Sequence, residues 1–285
     1  MILKKEIERK AIEQKVARST IDKDWVLGHF IDAIFSIEKC RKALVFKGGT
    51  CLRKCYINDY RFSENLDFTS VDPGFIPDKQ VFREITGLIY NRTEMPLYLA
   101  KLTELRHNNH LTGFAAVIKF WGADHAKDQT PPPPERWTTS IKIEIISYEK
   151  MIFPPVMKSV FHNYSDQLSA AVEQIPCYDI SEVLSEKIRA LIQRSYTAPR
   201  DYYDIWYLTT NIPDINWENI IPAFHEKMHY KNLDFTGVEQ LINPLNERSV
   251  KLAWQNSLGH QLAPDKLPDY ELVKSDLLSL FNKVI

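Results

Sequence analysis

One segment, residues 46–68, constrains the fold of this 285-residue chain more than any other. It opens as an apolar strand, turns at the Gly-Gly-Thr of residues 48–50, and ends in Asn65-Leu66-Asp67-Phe68, where polar and apolar residues alternate. Alternation with a period of two predicts a second strand that carries Asn65 and Asp67 on one face. A helix that starts with two glycines offers backbone N–H groups to a phosphate, and nearby carboxylates hold Mg²⁺ on that phosphate. The segment therefore predicts binding of a nucleoside triphosphate (NTP) with Mg²⁺.

Composition places the chain among ordinary globular proteins. Its residues are 44% hydrophobic and 26% charged, and no run of 18 apolar residues occurs. The first residues carry charges of both signs, without the apolar stretch of a signal peptide. We therefore expect a cytoplasmic protein with no membrane contact. Cys51 and Cys55 are four residues apart on a predicted helix, a spacing that favours two half-buried thiols over a disulfide.

Charge is distributed unevenly along the chain. The net charge of −1 predicts no general affinity for nucleic acid. Residues 1–61, however, contain 14 Lys or Arg against 8 Asp or Glu. This excess permits a basic face on the N-terminal half, and a solvated charged helix is the alternative.

The order of predicted elements indicates an α+β domain over residues 1–178 and a helical domain over residues 179–285. The consecutive prolines at 131–134 place an extended surface loop at Asp124–Arg136, inside a hairpin of the first domain. Hydrophobic periodicity predicts helices at 3–17, 22–40, 78–92, 181–195, 199–211, 217–229, 238–257 with a break at Pro244, and 270–284. Strands are predicted at 43–47, 66–70, 97–105, 111–120 and 138–147.

A second pair of polar residues lies on the strand predicted at 138–147. Lys142 and Glu144 share one face of it, opposite two isoleucines. If this strand lies beside the strand of Asp67, then Glu144 joins Asp67 around a metal ion. Acidic oxygens on adjacent strands are what phosphoryl transfer requires. The alternative interpretation is an alternating strand with one solvated face.

A third group of charged residues lies in the helical part. Lys187 and Arg194 are on one side of the helix predicted at 181–195, and this side tends inward. A cation on such a face needs an anionic partner, and a triphosphate is one. The alternative is an internal ion pair, for example between Arg200 and Asp204, which are four residues apart.

Taken together, these blocks resemble the AbiEii/AbiGii toxin family, the nucleotidyltransferase-like toxins of type IV toxin–antitoxin and abortive-infection systems. The resemblance spans about residues 43–210, and its blocks occur in the order that the family has. They are Phe46-Lys47-Gly48-Gly49-Thr50-x-Leu52, Arg61-Phe62-Ser63-Glu64-Asn65-Leu66-Asp67-Phe68, Lys142-x-Glu144, Glu186-Lys187-x-x-Ala190-x-x-x-Arg194 and Arg200-Asp201-x-x-Asp204.

The resemblance implies a DNA-polymerase-β-like nucleotidyltransferase core with a helical C-terminal domain. It implies an enzyme that transfers a nucleoside monophosphate (NMP) from an NTP to RNA, with tRNA as the acceptor and Mg²⁺ as cofactor, and a cognate antitoxin encoded nearby. The catalytic residues it implies are Asp67, Glu144 and Asp204, and the metal ligands are Asn65, Asp67 and Glu144. The nucleotide-binding residues are Lys47, Gly48, Gly49, Thr50, Lys142, Lys187, Arg194 and Arg200.

This chain departs from the family at Asn65, where an aspartate is frequent in the family. An amide oxygen still ligates a hard cation but contributes no charge, so the affinity for metal is expected to fall. The alternative function is therefore a catalytically weakened module of the same fold that binds a nucleotide or a partner protein.

A competing motif is His225-Glu226-Lys227-Met228-His229, which matches the His-Glu-x-x-His helix of zinc peptidases. The spacing puts both histidines on one helix face. Lys227 next to the would-be metal fits Zn²⁺ poorly, and the third ligand has only weak candidates in Glu239, Glu247 and His260. A zinc peptidase is thus the remote alternative.

Overall fold

The structure is a computed structural model that describes residues 2–126, 128–194 and 198–285. Within these ranges no helix is both long and apolar enough to span a membrane.

The chain forms two compact units. The first contains residues 1–149 and 155–177, and the second contains residues 150–154 and 178–285. Within the described residues, every strand belongs to the first unit, and the second unit is built from helices. The predicted domain boundary follows residue 178, and the long segment of the second unit begins at this residue. The assignment of two domains itself stays a prediction.

The first unit contains five α-helices, seven strands and three short helical turns within the described residues. The helices are α1 (Lys4–Gln14), α2 (Arg18–Ser36), α3 (Glu38–Ala43), α4 (Gly48–Cys51) and α5 (Lys79–Thr93). The strands are β1 (Leu44–Lys47), β2 (Asn65–Ser70), β3 (Leu97–His107), β4 (His110–Phe120), β5 (Ser140–Ile146), β6 (Val156–Lys158) and β7 (Ile175–Cys177). A π-helical turn, Leu52–Tyr56, continues α4, and 3₁₀ turns lie at Pro134–Arg136 and Ala170–Val172.

The seven strands form one mixed sheet in the order β3-β4-β5-β2-β1-β7-β6. Strand β2 lies at its middle, antiparallel to β1 and parallel to β5. The residues of β2 alternate in burial from Asn65 to Phe68, as the sequence predicts. The β3–β4 hairpin adds to the free edge of β5.

Helix α2 is the core helix of the first unit. Trp25, Phe30 and Phe35 are among its side chains that are fully or almost fully buried. Its buried residues face every direction around the axis, which is the pattern of a helix surrounded by protein. The helix ends at Ser36 because Ile37 is extended, so the single helix predicted over 22–40 is in fact α2 followed by α3.

Four polar residues of α2 are also buried, and each has a hydrogen-bonding or ionic partner from elsewhere in the unit. Asp24 pairs with Arg53 at 2.7 Å and Lys54 at 2.6 Å. Burial alone would raise the pKa of Asp24, but the charges of Lys54 and Arg53 hold it well below its usual range. Asp22 is bonded to Ala123, and His29 is bonded to Asp166. Asp32 is bonded to both Ser169 and Arg92.

Asp22 is the buried acid of this helix with the opposite pKa shift. Its Oδ1 accepts a hydrogen bond of 2.8 Å from the backbone N–H of Ala123. Gly122 permits this approach, since a Cβ there would lie 2.2 Å from Oδ2 of Asp22. Burial raises the pKa of Asp22 from 3.8 to about 7, and the hydrogen bond from Ala123 offsets only part of that effect.

The second unit contains the remaining helices, which are α6 (Ile180–Gln193), α7 (Pro199–Asn211), α8 (Trp217–Tyr230), α9 (Val238–Leu241), α10 (Glu247–Leu258) and α11 (Tyr270–Val284). Helices α6 and α8 pack together, and α7 packs against α6, α10 and α11. A 3₁₀ turn that begins at Pro244 separates α9 from α10, where the sequence predicts a break. Ser195, the predicted end of α6, lies outside the described residues.

Two local predictions were wrong, and two short strands were missed. Strands β6 and β7 were not predicted, because three residues are too few for a periodic pattern. The proline loop contains a 3₁₀ turn, because Pro134 occupies its first position, where a missing N–H does no harm. Cys51 and Cys55 are fully buried rather than half-buried.

We predict that Asp22→Asn stabilises the protein increasingly as the pH rises. The native state holds the Asp22 proton more tightly than the unfolded chain, so this residue's contribution to stability is lost between its unfolded pKa of 3.8 and its folded pKa of about 7. Asparagine avoids that loss, which amounts to at most about 4 kcal/mol. Urea unfolding across this pH range measures the difference between variant and parent. The exposed Asp59→Asn serves as control, and a constant difference for Asp22→Asn would contradict the pKa shift.

Candidate active site

The turn after β1 is formed by Gly48, which no other residue type replaces easily. Its φ of +79° lies in the left-handed region. A Cβ at Gly48 would lie 2.5 Å from Oδ2 of Asp67, so the backbone at the start of α4 is in close contact with this carboxylate. The glycine therefore fixes the distance between the turn and the acid of β2.

Gly49 and Thr50 complete the turn in two different ways. A Cβ at Gly49 would lie 2.7 Å from Nη2 of Arg61, whose side chain is buried. The buried hydroxyl of Thr50 donates a hydrogen bond to the backbone carbonyl of Asn65. The Thr50 hydroxyl thus ties α4 to β2, and the backbone N–H groups are what the turn can present to an anion.

A row of predicted site residues crosses the sheet next to this turn. Lys47 of β1 is the register partner of Asp67 of β2, and Asp67 is in turn the partner of Glu144 of β5. Asn65 lies two residues before Asp67, on the same face of β2, and it is paired with Lys142 of β5. The condition set by the sequence, that the strand of Glu144 lies beside that of Asp67, is therefore met.

Cations lie beside the two acids of this row. Nζ of Lys142 lies 2.8 Å from Oε1 of Glu144, and both side chains are partly exposed. Asp67 and Asn65 are half-buried. The oxygen donors of Asn65, Asp67 and Glu144 are those that hard divalent cations prefer. The residues present thus fit a divalent cation.

In the second unit, the predicted phosphate ligand Lys187 lies between two carboxylates. Its Nζ is 3.0 Å from Asp201 and 2.6 Å from Asp204. Nη1 of Arg194 lies 2.7 Å from Asp201, and Nε of Arg200 donates to the backbone carbonyl of Ser257. The anionic partner that a buried cation requires is thus supplied by α7 itself.

The His-Glu-x-x-His motif lies on α8 and is not organised as a zinc site. His225, Glu226 and His229 are exposed, whereas Lys227 is fully buried. Nζ of Lys227 is 2.5 Å from Glu182 and donates at 2.7 Å to the carbonyl of Lys150. In the described part of the chain, the groups of three or more metal-binding side chains lie elsewhere. The motif is part of the packing of the helical unit.

The profile of the nucleotidyl transferase AbiEii toxins of type IV toxin–antitoxin systems matches residues 29–275. The chain belongs to the AbiEii family. It is therefore a nucleotidyltransferase, and the predicted family and enzyme class are confirmed. No similar protein was found among the curated proteins.

Solved structures show the same fold. MenT4, a nucleotidyltransferase toxin from Mycobacterium tuberculosis H37Rv, is 18% identical with a TM-score of 0.63, over 99% of this chain and 89% of MenT4. JHP933 from Helicobacter pylori is 13% identical with a TM-score of 0.53, over 94% of this chain and 93% of JHP933. At these identities the likeness shows the fold alone, and it confirms the predicted α+β nucleotidyltransferase class.

Two residues in contact with the predicted site residues were absent from the sequence-based set. Arg61, whose guanidinium lies next to Gly49, belongs to the family motif. No pattern in the sequence indicates where that guanidinium points. Asp201 binds both Lys187 and Arg194. It lies three residues before Asp204 on α7, so helical spacing could have identified it.

We predict that Gly48→Ala disrupts the contact with Asp67 and destabilises the first unit. The positive φ alone costs about 1–2 kcal/mol in a residue with a Cβ, and the collision with Oδ2 adds to this. Urea unfolding measures the loss. Gly87→Ala on α5 is the matched control, because a Cβ there meets no atom within 4 Å, and it should be neutral or stabilising by up to about 1 kcal/mol. Equal effects in the two variants would refute the close approach.

We predict that Lys227→Met lowers the free energy of unfolding by about 3–5 kcal/mol, because it leaves Glu182 buried without its cation. The backbone N–H groups of Ile152 and Phe153 still bond Glu182, but they carry no full charge. Chemical denaturation with and without added Zn²⁺ provides the measurement. The exposed His229→Ala should change little in either condition; a zinc-dependent loss in that variant would instead support the peptidase motif.

Proposed function

We propose that this AbiEii-family chain transfers an NMP from an NTP to RNA, with tRNA as acceptor and Mg²⁺ as metal. The observation that carries the proposal is the register that sets Asp67 opposite Glu144, immediately beside the Gly48 turn. Family membership supplies the reaction class, since these toxins are nucleotidyltransferases that pair with an antitoxin.

In this proposal, Asp67 and Glu144 hold the cation, and the amide oxygen of Asn65 is a third, uncharged donor. A bound Mg²⁺ orients the triphosphate and neutralises the charge of the departing pyrophosphate. Divalent ions suit the all-oxygen donor set of this face. Asn65 keeps the oxygen but removes one negative charge, so the metal is held less tightly than by three acids.

The chain's own groups bind and position the nucleotide. The backbone N–H groups at Gly49 and Thr50 meet phosphate oxygens, while Lys47 and Lys142 lie in the adjacent row as cations. A hydroxyl oxygen of the RNA attacks the α-phosphorus, the bond from that phosphorus to the pyrophosphate breaks, and the hydroxyl proton passes to solvent. Pyrophosphate leaves, and the NMP stays on the RNA.

The roles of the second unit follow from the family resemblance. There we assign Lys187, Arg194 and Arg200 to the nucleotide, and Asp204 to catalysis or its orientation. Lys187 already has two carboxylate partners, so a phosphate has to compete with Asp201 or Asp204 for it. A cytoplasmic location and an antitoxin encoded nearby complete the proposal.

We predict that Asp67→Asn lowers nucleotide transfer at least about 100-fold, which corresponds to about 2.7 kcal/mol of transition-state stabilisation. The assay incubates the protein with Mg²⁺, total tRNA and each labelled NTP in turn, and measures label on the RNA. The exposed Asp59→Asn is the control and should keep the parental rate. Unchanged transfer in Asp67→Asn would overturn the assignment of the metal site.

A further variant, Asn65→Asp, separates an active enzyme from a weakened binding module. If the missing charge limits activity, the variant shows faster transfer and a larger rise in melting temperature with Mg²⁺ than the parent. If neither the parent nor this variant transfers label to any RNA, the chain is the binding module. Calorimetry with NTP and Mg²⁺ then shows whether it still holds the nucleotide.

A further inference from the structure

Three cysteines meet in the core beneath the Gly48 turn. Cys51 is the last residue of α4, Cys55 lies four residues later in the π-helical turn, and Cys177 is on β7. Their sulfur atoms all lie within 4.8 Å of one another, and all three thiols are free. The fourth cysteine, Cys40, is also buried but is not part of this cluster.

The arrangement of the three sulfurs is close to that of a metal–thiolate site. Residues four apart on a helix face the same side, so α4 and its continuation present two sulfurs toward β7. Three thiolates at the Zn–S distance of about 2.3 Å have sulfur–sulfur edges of about 3.8 Å. Each edge of the cluster therefore needs to shorten by no more than about 1 Å, which side-chain rotation can supply.

The surroundings favour a soft cation over a hard one. The cluster belongs to the apolar core of the first unit. Cys177 of β7 is paired in register with Phe46 of β1. Sulfur ligands in a dry, apolar setting select thiophilic ions such as those of zinc and copper(I). Magnesium, which requires oxygen, is excluded from this place.

The charge near the cluster favours a divalent ion. The thiols of Cys51, Cys55 and Cys177 are hydrogen-bonded to one another, and Lys158 supplies a positive charge near Cys177. Three thiolates around a divalent ion carry a net charge of −1, which Lys158 offsets. A monovalent ion would leave −2 in the core, and burial penalises the larger charge.

We propose that Cys51, Cys55 and Cys177 form a binding site for a divalent thiophilic cation of the Zn²⁺ class. On binding, three metal–sulfur bonds form, and the protons of the thiols leave to solvent with no change in oxidation state. The ion would join the helix of the Gly48 turn to β7, because Cys51 follows Thr50 directly. This inference does not depend on the proposed reaction, since the site lies in the core and uses none of its residues.

The test uses the reduced full-length protein and Co²⁺ as a spectroscopic probe for Zn²⁺. We expect one equivalent of Co²⁺ to bind, with an intense thiolate-to-cobalt charge-transfer absorption that added Zn²⁺ abolishes. Such a band requires sulfur ligands, so Co²⁺ bound at a histidine or carboxylate cluster would not produce it. Absence of the band in the parent protein would overturn the proposal, whatever the variants do.

Two single variants locate the site. Cys177→Ala should weaken Co²⁺ and Zn²⁺ binding at least tenfold and remove the rise in melting temperature that Zn²⁺ produces in the parent. Cys40→Ala, a matched buried thiol outside the cluster, should keep both. Circular dichroism in the presence of a chelator checks that each variant is folded, and Cys55→Ala replaces Cys177→Ala if the latter is not. Equal binding by the cluster variant and the Cys40 variant would refute the assignment.

Discussion

The register of β2 between β1 and β5 is the constraint on which the candidate site depends. Side chains of a strand alternate between its two faces, so a slip of one residue would move Asp67 into the core and Phe68 to the surface. Phe68 is fully buried against Phe35 and Phe46, and this packing opposes any such slip. Burial of an aromatic side chain is worth about 1.5–3 kcal/mol. The apolar face of β2 thereby fixes the position of the acid on the opposite face.

The close packing of the Gly48 turn extends this constraint to the backbone that is proposed to bind phosphate. Asp67 is in contact with Gly48, and the hydroxyl of Thr50 is bonded to the carbonyl of Asn65. Each contact joins α4 to β2, so the N–H groups of the turn and the carboxylate cannot move independently. Arg53 and Lys54, in the π-helical turn that follows, are in turn fixed to Asp24 of the core helix. Such a preorganised arrangement is what electrostatic catalysis requires.

The sequence predicted those parts of the fold that depend on local pattern. The alternation in residues 65–68, the glycine turn and most helices could be read from spacing and residue type. The pairing of β2 with β5 could only be stated as a condition, because Glu144 lies 77 residues after Asp67 and pairing at that distance leaves no local signal. The partner of Lys187 could not be predicted from the sequence either. Its predicted position on an inward-tending helix face required an anion, but carboxylates and a triphosphate meet that requirement equally well.

The charged side chains of the candidate site offset one another across the sheet. Two acids in register, Asp67 and Glu144, repel each other, and Lys142 at 2.8 Å from Glu144 and Lys47 opposite Asp67 offset that repulsion. The proposed ligand, a metal–triphosphate complex, also consists of a cation and anions. When it binds, the acids can exchange a lysine for the metal while the lysines exchange a carboxylate for phosphate. Every charge keeps a partner throughout, so the desolvation that accompanies binding leaves none of them uncompensated. Two neighbouring acids with lysines beside them are therefore suited to a ligand that itself carries both signs, and less suited to a simple anion or a bare cation.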